Sequence, residues 1–332
     1  MADLSTRFFG LKLDNPIIIA SSGLTANAES IKRFAKCGAG AIVLKSIFEE
    51  EIKQEYDQVL RNAGTSHHFL EQLDYFDYEI REENVGHYID LIKEVRKEVK
   101  VPIIASINCI TAGEWSFFAE KIEAAGADAL ELNLFLLPSD IRKSAEDQNE
   151  FYMSAVEHVM QKVKIPVAVK ISPFFSNLGA VIQALSEKGV AGISLFNRFY
   201  TPDIDLDKMK LIPSSPFSEA VDYTLPLRWI GLMSDSINCD LAATTGIHDG
   251  ATVAKMLLAG ASAVQMASVF YKKGPEHIGT ILNDLTVWMN EKGYQTISDF
   301  KGKLSLKNAP NPAGYERAQF MKQFNSDEKV IE

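Results

Sequence analysis

Five apolar runs in this chain each end in a polar residue: AIVLK at Lys45, IIASIN at Asn108, ALELN at Asn133, PVAVK at Lys170 and GISLFN at Asn197. Runs this short, separated by helical patterns, read as buried parallel strands. In a barrel of such strands the carboxyl ends open onto one mouth, where barrel enzymes keep their chemistry. Two lysines and three asparagines would then face a single ligand.

The rest of the chain keeps the same rhythm. Residues 6–15 read as a hairpin turning at Gly10 and leading into a first buried strand, NPIIIA. A helix over about 28–37 precedes AIVLK. The pattern then breaks: an acidic segment, 49–62, is followed by an aromatic one holding Phe69, Tyr75, Phe76, Tyr78 and Tyr88. Irregular segments of this length inside a compact domain are usually lids or binding loops.

Alternation resumes with the helix starting at His87, and helices over about 148–163 and 178–188 separate the next strands. A second irregular stretch covers 198–222. A helix from about Tyr223, the strand CDLAAT, the helix GATVAKMLLAG, the strand AVQMAS and a helix from Pro275 to about Asn290 close the series. Eight strand–helix repeats predict a single (β/α)₈ barrel over residues 1–332. A doubly wound open sheet is the alternative, but the turn after the first strand, SSGLTANAES, has no G-x-G-x-x-G.

Composition excludes several functions. The net charge of −10 comes without any basic block, which disfavours binding to nucleic acid or to an anionic membrane. No apolar stretch approaches the roughly 20 residues of a membrane span, and the N-terminus has no signal pattern, so a cytoplasmic protein is expected. Cys37, Cys109 and Cys239 form neither a disulfide framework nor a zinc spacing. No histidine pairs with a nucleophile and no metal-ligand cluster is present, so neither triad chemistry nor a catalytic metal is expected.

Lys45 and Lys170 occupy matching strand ends. Such lysines can snorkel to solvent, form a Schiff base, pair with phosphate or sit beside an electron-rich cofactor. Asn108, Asn133 and Asn197 offer donors and acceptors to a planar polar ligand, or else cap the following helices. Thr244-Thr245-Gly246 and Ala267-Ser268 end the last two strands, the quarter where barrels often bind phosphate, although Gly246 can also simply make a turn.

With these residues in place, the chain resembles the dihydroorotate dehydrogenases, FMN-containing (β/α)₈ enzymes, and within them the soluble class 1 type. It is also similar to the pyrimidine-reducing domain of dihydropyrimidine dehydrogenases. The resemblance is carried by NPIIIASSG (15–23), AIVLKS (41–46), IIASINC (103–109), GADALELN (126–133), IPVAVKISP (165–173), residues 244–268 and GYQTISDFKGKL (293–304).

It implies an FMN-dependent oxidoreductase acting on dihydroorotate or a related small molecule. Ala20, Ser21, Lys45, Ser46, Ser106, Asn108 and Asn133 would contact the flavin, and Lys170 would lie at its N1–C2 edge. Thr245, Gly246, Ala267 and Ser268 would hold its phosphate. Lys45, Asn133 and Asn197 would bind substrate, with Lys45 taking part in catalysis. Soluble members of the family pair, which implies a homodimer.

The substrate side departs from the family pattern. Where the family reads NLSCPN, with the cysteine (or a serine) as general base, this chain reads NLFLLPSD, which puts Leu136 or Leu137 at the base position. Ser139 is the nearest hydroxyl and is the candidate for that role. The N-x-x-G-L-P-N substrate loop is absent from 46–86, SPFSEAVDYTLP replaces a glycine pair, and the second phosphate glycine pair is reduced to Thr245-Gly246. Two further hypotheses follow: a Schiff-base lyase with Lys170 as the amine, and a barrel that binds flavin or nucleotide without catalysis.

Overall fold

The structure is a computed structural model that describes residues 2–49, 73–108, 112–199 and 201–317. Among these, β1 (Thr6–Phe8) and β2 (Leu11–Leu13) form an antiparallel hairpin ahead of the barrel. The barrel is built from β3 (Ile17–Ile19), β4 (Ala41–Val43), β6 (Ile103–Asn108), β7 (Ala129–Asn133), β8 (Val167–Ile171), β9 (Gly192–Leu195), β12 (Asp240–Thr244) and β13 (Ala263–Met266). These strands pair in parallel, and the β4–β6 pairing closes the ring. The two-residue β5 (Ile47–Phe48) continues alongside β6 where β4 has ended. The expected barrel is therefore the observed one.

Three boundaries differ from expectation. Helix Leu73–Arg96 begins well before His87, so residues 73–88 of the aromatic segment are helical rather than irregular. Asn84 and Gly86 lie within it, and such weak helix formers mask a helix in a sequence. The second irregular stretch holds an exposed hairpin, β10 (Pro202–Asp205) with β11 (Lys210–Pro213). A short helix, Ser268–Lys273, follows β13 directly. His67, His68, Phe69, Cys109 and most of the acidic segment lie outside the described residues.

Side chains alternate along a strand, so every second residue faces the barrel interior. The bottom layer is Ile18, Val43, Ile104, Ala129, Ala168, Ala242 and Ala263, packed on Phe8, Phe9 and Leu13 from the hairpin. The alanines leave room for the two rings, and a Cβ on Gly192 would stand 2.5 Å from the Phe9 ring. The N-terminal hairpin thus plugs one end of the barrel. Two residues further along each strand lies the next inward layer: Ala20, Lys45, Ser106, Glu131, Lys170, Ser194, Thr244 and Gln265. Apolar filling gives way there to polar and charged groups, and the site begins.

Candidate active site

A cavity of about 720 Å³ opens at the carboxyl end of the barrel. Of the expected site residues, Ala20, Ser21, Lys45, Ser46, Asn133, Lys170, Asn197, Thr245, Gly246, Ala267 and Ser268 line it. Ser106 and Asn108 are buried and lie outside that lining. Ser139 is exposed and also lies outside it. Leu136 packs against the core and Leu137 is 60% exposed. The loop after β7 therefore brings neither leucine nor Ser139 to the cavity, and Phe135 lines it instead.

Lys170 is 9% exposed. Its Nζ donates to Gln265 Oε1 at 3.0 Å. The Gln265 Nε2 donates in turn to Glu131 Oε2 and, at 2.9 Å, to Ser194 Oγ. Ser194 Oγ donates to the same Glu131 Oε2 at 2.9 Å. The ammonium can only donate and the carboxylate only accept, so the Gln265 amide is fixed in this orientation. Burial pushes the Lys170 pKa down, and the nearby Glu131 charge opposes that shift. The lysine is therefore held in the barrel interior by Gln265 and does not snorkel to solvent.

Glu131 Oε1 and Asn133 Oδ1 are buried without a donor among the described residues. Leaving a buried acceptor unpaired costs about 1–3 kcal/mol, and both belong to residues lining the cavity. A ligand donor would recover that cost. Capping does not explain Asn133, because Ser144 caps the helix that follows, Ala145–Met160. Asn197 Nδ2 donates to the carbonyls of Lys170 at 3.1 Å and Leu134 at 3.3 Å, tying together the ends of β7, β8 and β9.

A serine ladder supports the opposite wall. Ser46 N donates to Ser21 Oγ at 3.0 Å, and Ser46 Oγ lies 2.7 Å from Ser106 Oγ. With Ser46 N turned toward Ser21, the backbone of Ser106 finds its partner in a phenol. Tyr88 OH accepts from Ser106 N at 2.9 Å and donates to Ser106 O at 3.3 Å. The gap between β4 and β5 is filled in this way, and burial raises the pKa of the Tyr88 phenol.

At the expected phosphate corner, Thr245 and Gly246 have φ of 78° and 73°. A Cβ at Gly246 would lie 2.2 Å from Tyr223 N, so only glycine fits. The segment replacing the family's glycine pair crosses here. Arg198 donates to the carbonyls of Ser215, Pro216 and Phe217, and Lys272 Nζ to that of Ser218 at 3.3 Å. Ser218 N donates to Ser268 Oγ at 3.0 Å, and Ser218 Oγ lies 3.0 Å from His248 Nε2. Burial and the neighbouring Lys272 push the His248 pKa down. Four consecutive carbonyls are thus held by two cationic side chains.

Sequence reasoning missed Glu131, Ser194 and Gln265, since it considered only where each run ended. The signal was present, because each is a polar residue inside an apolar run at inward parity. Arg198 was likewise overlooked beside Asn197.

These residues fit FMN. Two orphaned acceptors beside the buried Lys170 amine suit a polar-edged ring, and Thr245, Gly246, Ala267 and Ser268 line the same cavity at its phosphate end. The family model for dihydroorotate dehydrogenase matches residues 3–289. A dihydroorotate dehydrogenase B (NAD(+)) catalytic subunit from Thermoplasma volcanium is 28% identical over 91% of this chain and 98% of its own length. Its Pyrococcus abyssi counterpart is 29% identical over 92% and 99%. The counterpart from Methanocaldococcus jannaschii is 26% identical over 90% and 97%. The barrel, its polar mouth and a match running along most of the chain agree, and the chain belongs to the dihydroorotate dehydrogenase family.

Proposed function

We propose that this chain is an FMN-dependent oxidoreductase acting on a CH–CH bond of dihydroorotate or a closely related dihydropyrimidine. The observation that carries this reading is the buried Lys170 cation set beside orphaned acceptors at the mouth of a barrel of this family. When bound, FMN supplies hydride acceptance and release. Ala20, Ser21, Ser46 and Lys170 would hold its ring, and Thr245, Gly246, Ala267 and Ser268 its phosphate end. Ser106 would act from behind, by orienting Ser46 through their shared hydrogen bond. Asn108 would act as a structural residue of the same wall.

Lys45, Asn133 and Asn197 would orient the substrate. Phe135 and Phe199, stacked with centroids 4.2 Å apart, both line the cavity and would exclude water from it. Ser139 is too far out to take the substrate proton as the loop stands, which leaves related dihydropyrimidines as substrates beside dihydroorotate.

The relatives named above are catalytic subunits by name, so a partner protein is the proposed electron acceptor, with pairing of two copies alongside it. The described residues include no helix long and apolar enough to cross a membrane, in keeping with a cytoplasmic setting. Anaerobic addition of dihydroorotate to the yellow protein tests the substrate: bleaching of the flavin absorbance is expected. Bleaching by another dihydropyrimidine but not by dihydroorotate would reassign it. A colourless protein that traps a carbonyl substrate on Lys170 with borohydride would move the chain to the lyase class.

A further inference from the structure

The Lys170–Gln265–Glu131 chain already recognises one amide edge. The carbonyl of Gln265 accepts a hydrogen bond from Lys170, while its N–H₂ donates one to Glu131. A donor and an acceptor thereby flank the two ends of one amide group. Each keeps unused capacity: an ammonium has three donors, and Glu131 Oε1 has no partner among the described residues. Both residues line the cavity. Asn133, two residues along the same inward face of β7, adds a second buried acceptor without a donor.

We propose that Glu131 is a ligand-binding residue, accepting through Oε1 the ring N–H of a cyclic amide whose neighbouring carbonyl is taken by Lys170. Two ligands of the proposed function carry that edge: the flavin ring and a pyrimidinedione substrate. The inference rests on the flavin reading for the first of these only. Ser194 and Gln265 hold Oε2, and this sets the chemistry of the test variant. In E131Q the new carbonyl must stay where Oε2 was, so the amide N–H₂ takes the place of Oε1. Acceptance becomes donation at nearly constant volume.

Unloaded wild-type protein is titrated with FMN and with N3-methyl-FMN, and the loaded protein with orotate and 3-methylorotate, following flavin absorbance and fluorescence. A wild-type preference of about tenfold or more for the unmethylated flavin, abolished in E131Q, assigns the edge to the cofactor. The same result confined to orotate assigns it to the substrate. E131D, which keeps the charge but withdraws the oxygen, gives the same loss where E131Q does not fold. FMN uptake with no preference in either pair, or with a preference that both variants keep, overturns the assignment and leaves the flavin reading standing. If the wild type takes up no FMN, calorimetry with the two orotates on the unloaded protein decides: discrimination upholds the edge while the flavin reading falls, and none overturns both.

Discussion

Lys170 concentrates the chemistry of the site in one residue, and burial gives it a measurable consequence. Its pKa in the folded protein lies below the ordinary 10.5 because the charged ammonium is desolvated. Between the lowered value and 10.5, the unfolded chain holds a proton that the folded one has released. Stability contributed at this position therefore rises with pH across that window. The difference in urea midpoint between wild type and K170M should shift in the wild type's favour as pH is raised through that window to 10.5. Parallel curves would show that the lysine does not feel its burial. Lys170 was legible in the sequence as a polar stop to an apolar run. Its partners were not, because Glu131 and Gln265 sit inside their runs and only their parity along the strand reveals them.

At the scale of elements, two joints hold the mouth in shape. Helix Leu73–Arg96 reaches the barrel through Tyr88, whose hydroxyl satisfies both backbone groups of Ser106 where β4 has ended. Y88F removes that bridge and strands a buried N–H and C=O, so it should cost about 1–3 kcal/mol in urea unfolding. An unchanged midpoint would mean that the gap is bridged in some other way. The second joint is Arg198 on the carbonyls of Ser215, Pro216 and Phe217. R198A should release this segment and speed proteolytic cleavage near it without moving the global midpoint by more than about 1 kcal/mol. Cleavage at the wild-type rate would contradict that role. Strands buried on both faces announced themselves as apolar runs. Neither joint did, since a tyrosine within a broken helical pattern and an arginine after a strand end carry no periodic signal.

For the whole molecule, the barrel is divided into an apolar lower half and a polar upper half. The hairpin of Phe8, Phe9 and Leu13 closes the bottom, and Gly192 gives the Phe9 ring its place. G192A should overpack that plug and cost about 1–3 kcal/mol of stability, read from the urea midpoint, while leaving FMN stoichiometry unchanged. A loss of FMN there would mean that the halves are not independent. This division also explains why the fold was more legible than the site. Eight repeats outvote any local ambiguity, whereas the site depends on single residues and on loops whose family motifs this chain has replaced. The most direct measurement is a titration of FMN into unloaded wild type and K170M, followed by flavin fluorescence. A flavin cradle centred on Lys170 predicts one-to-one uptake by the wild type and an affinity at least about tenfold weaker in a folded K170M. No uptake by the wild type, or equal affinity in the two proteins, would contradict it.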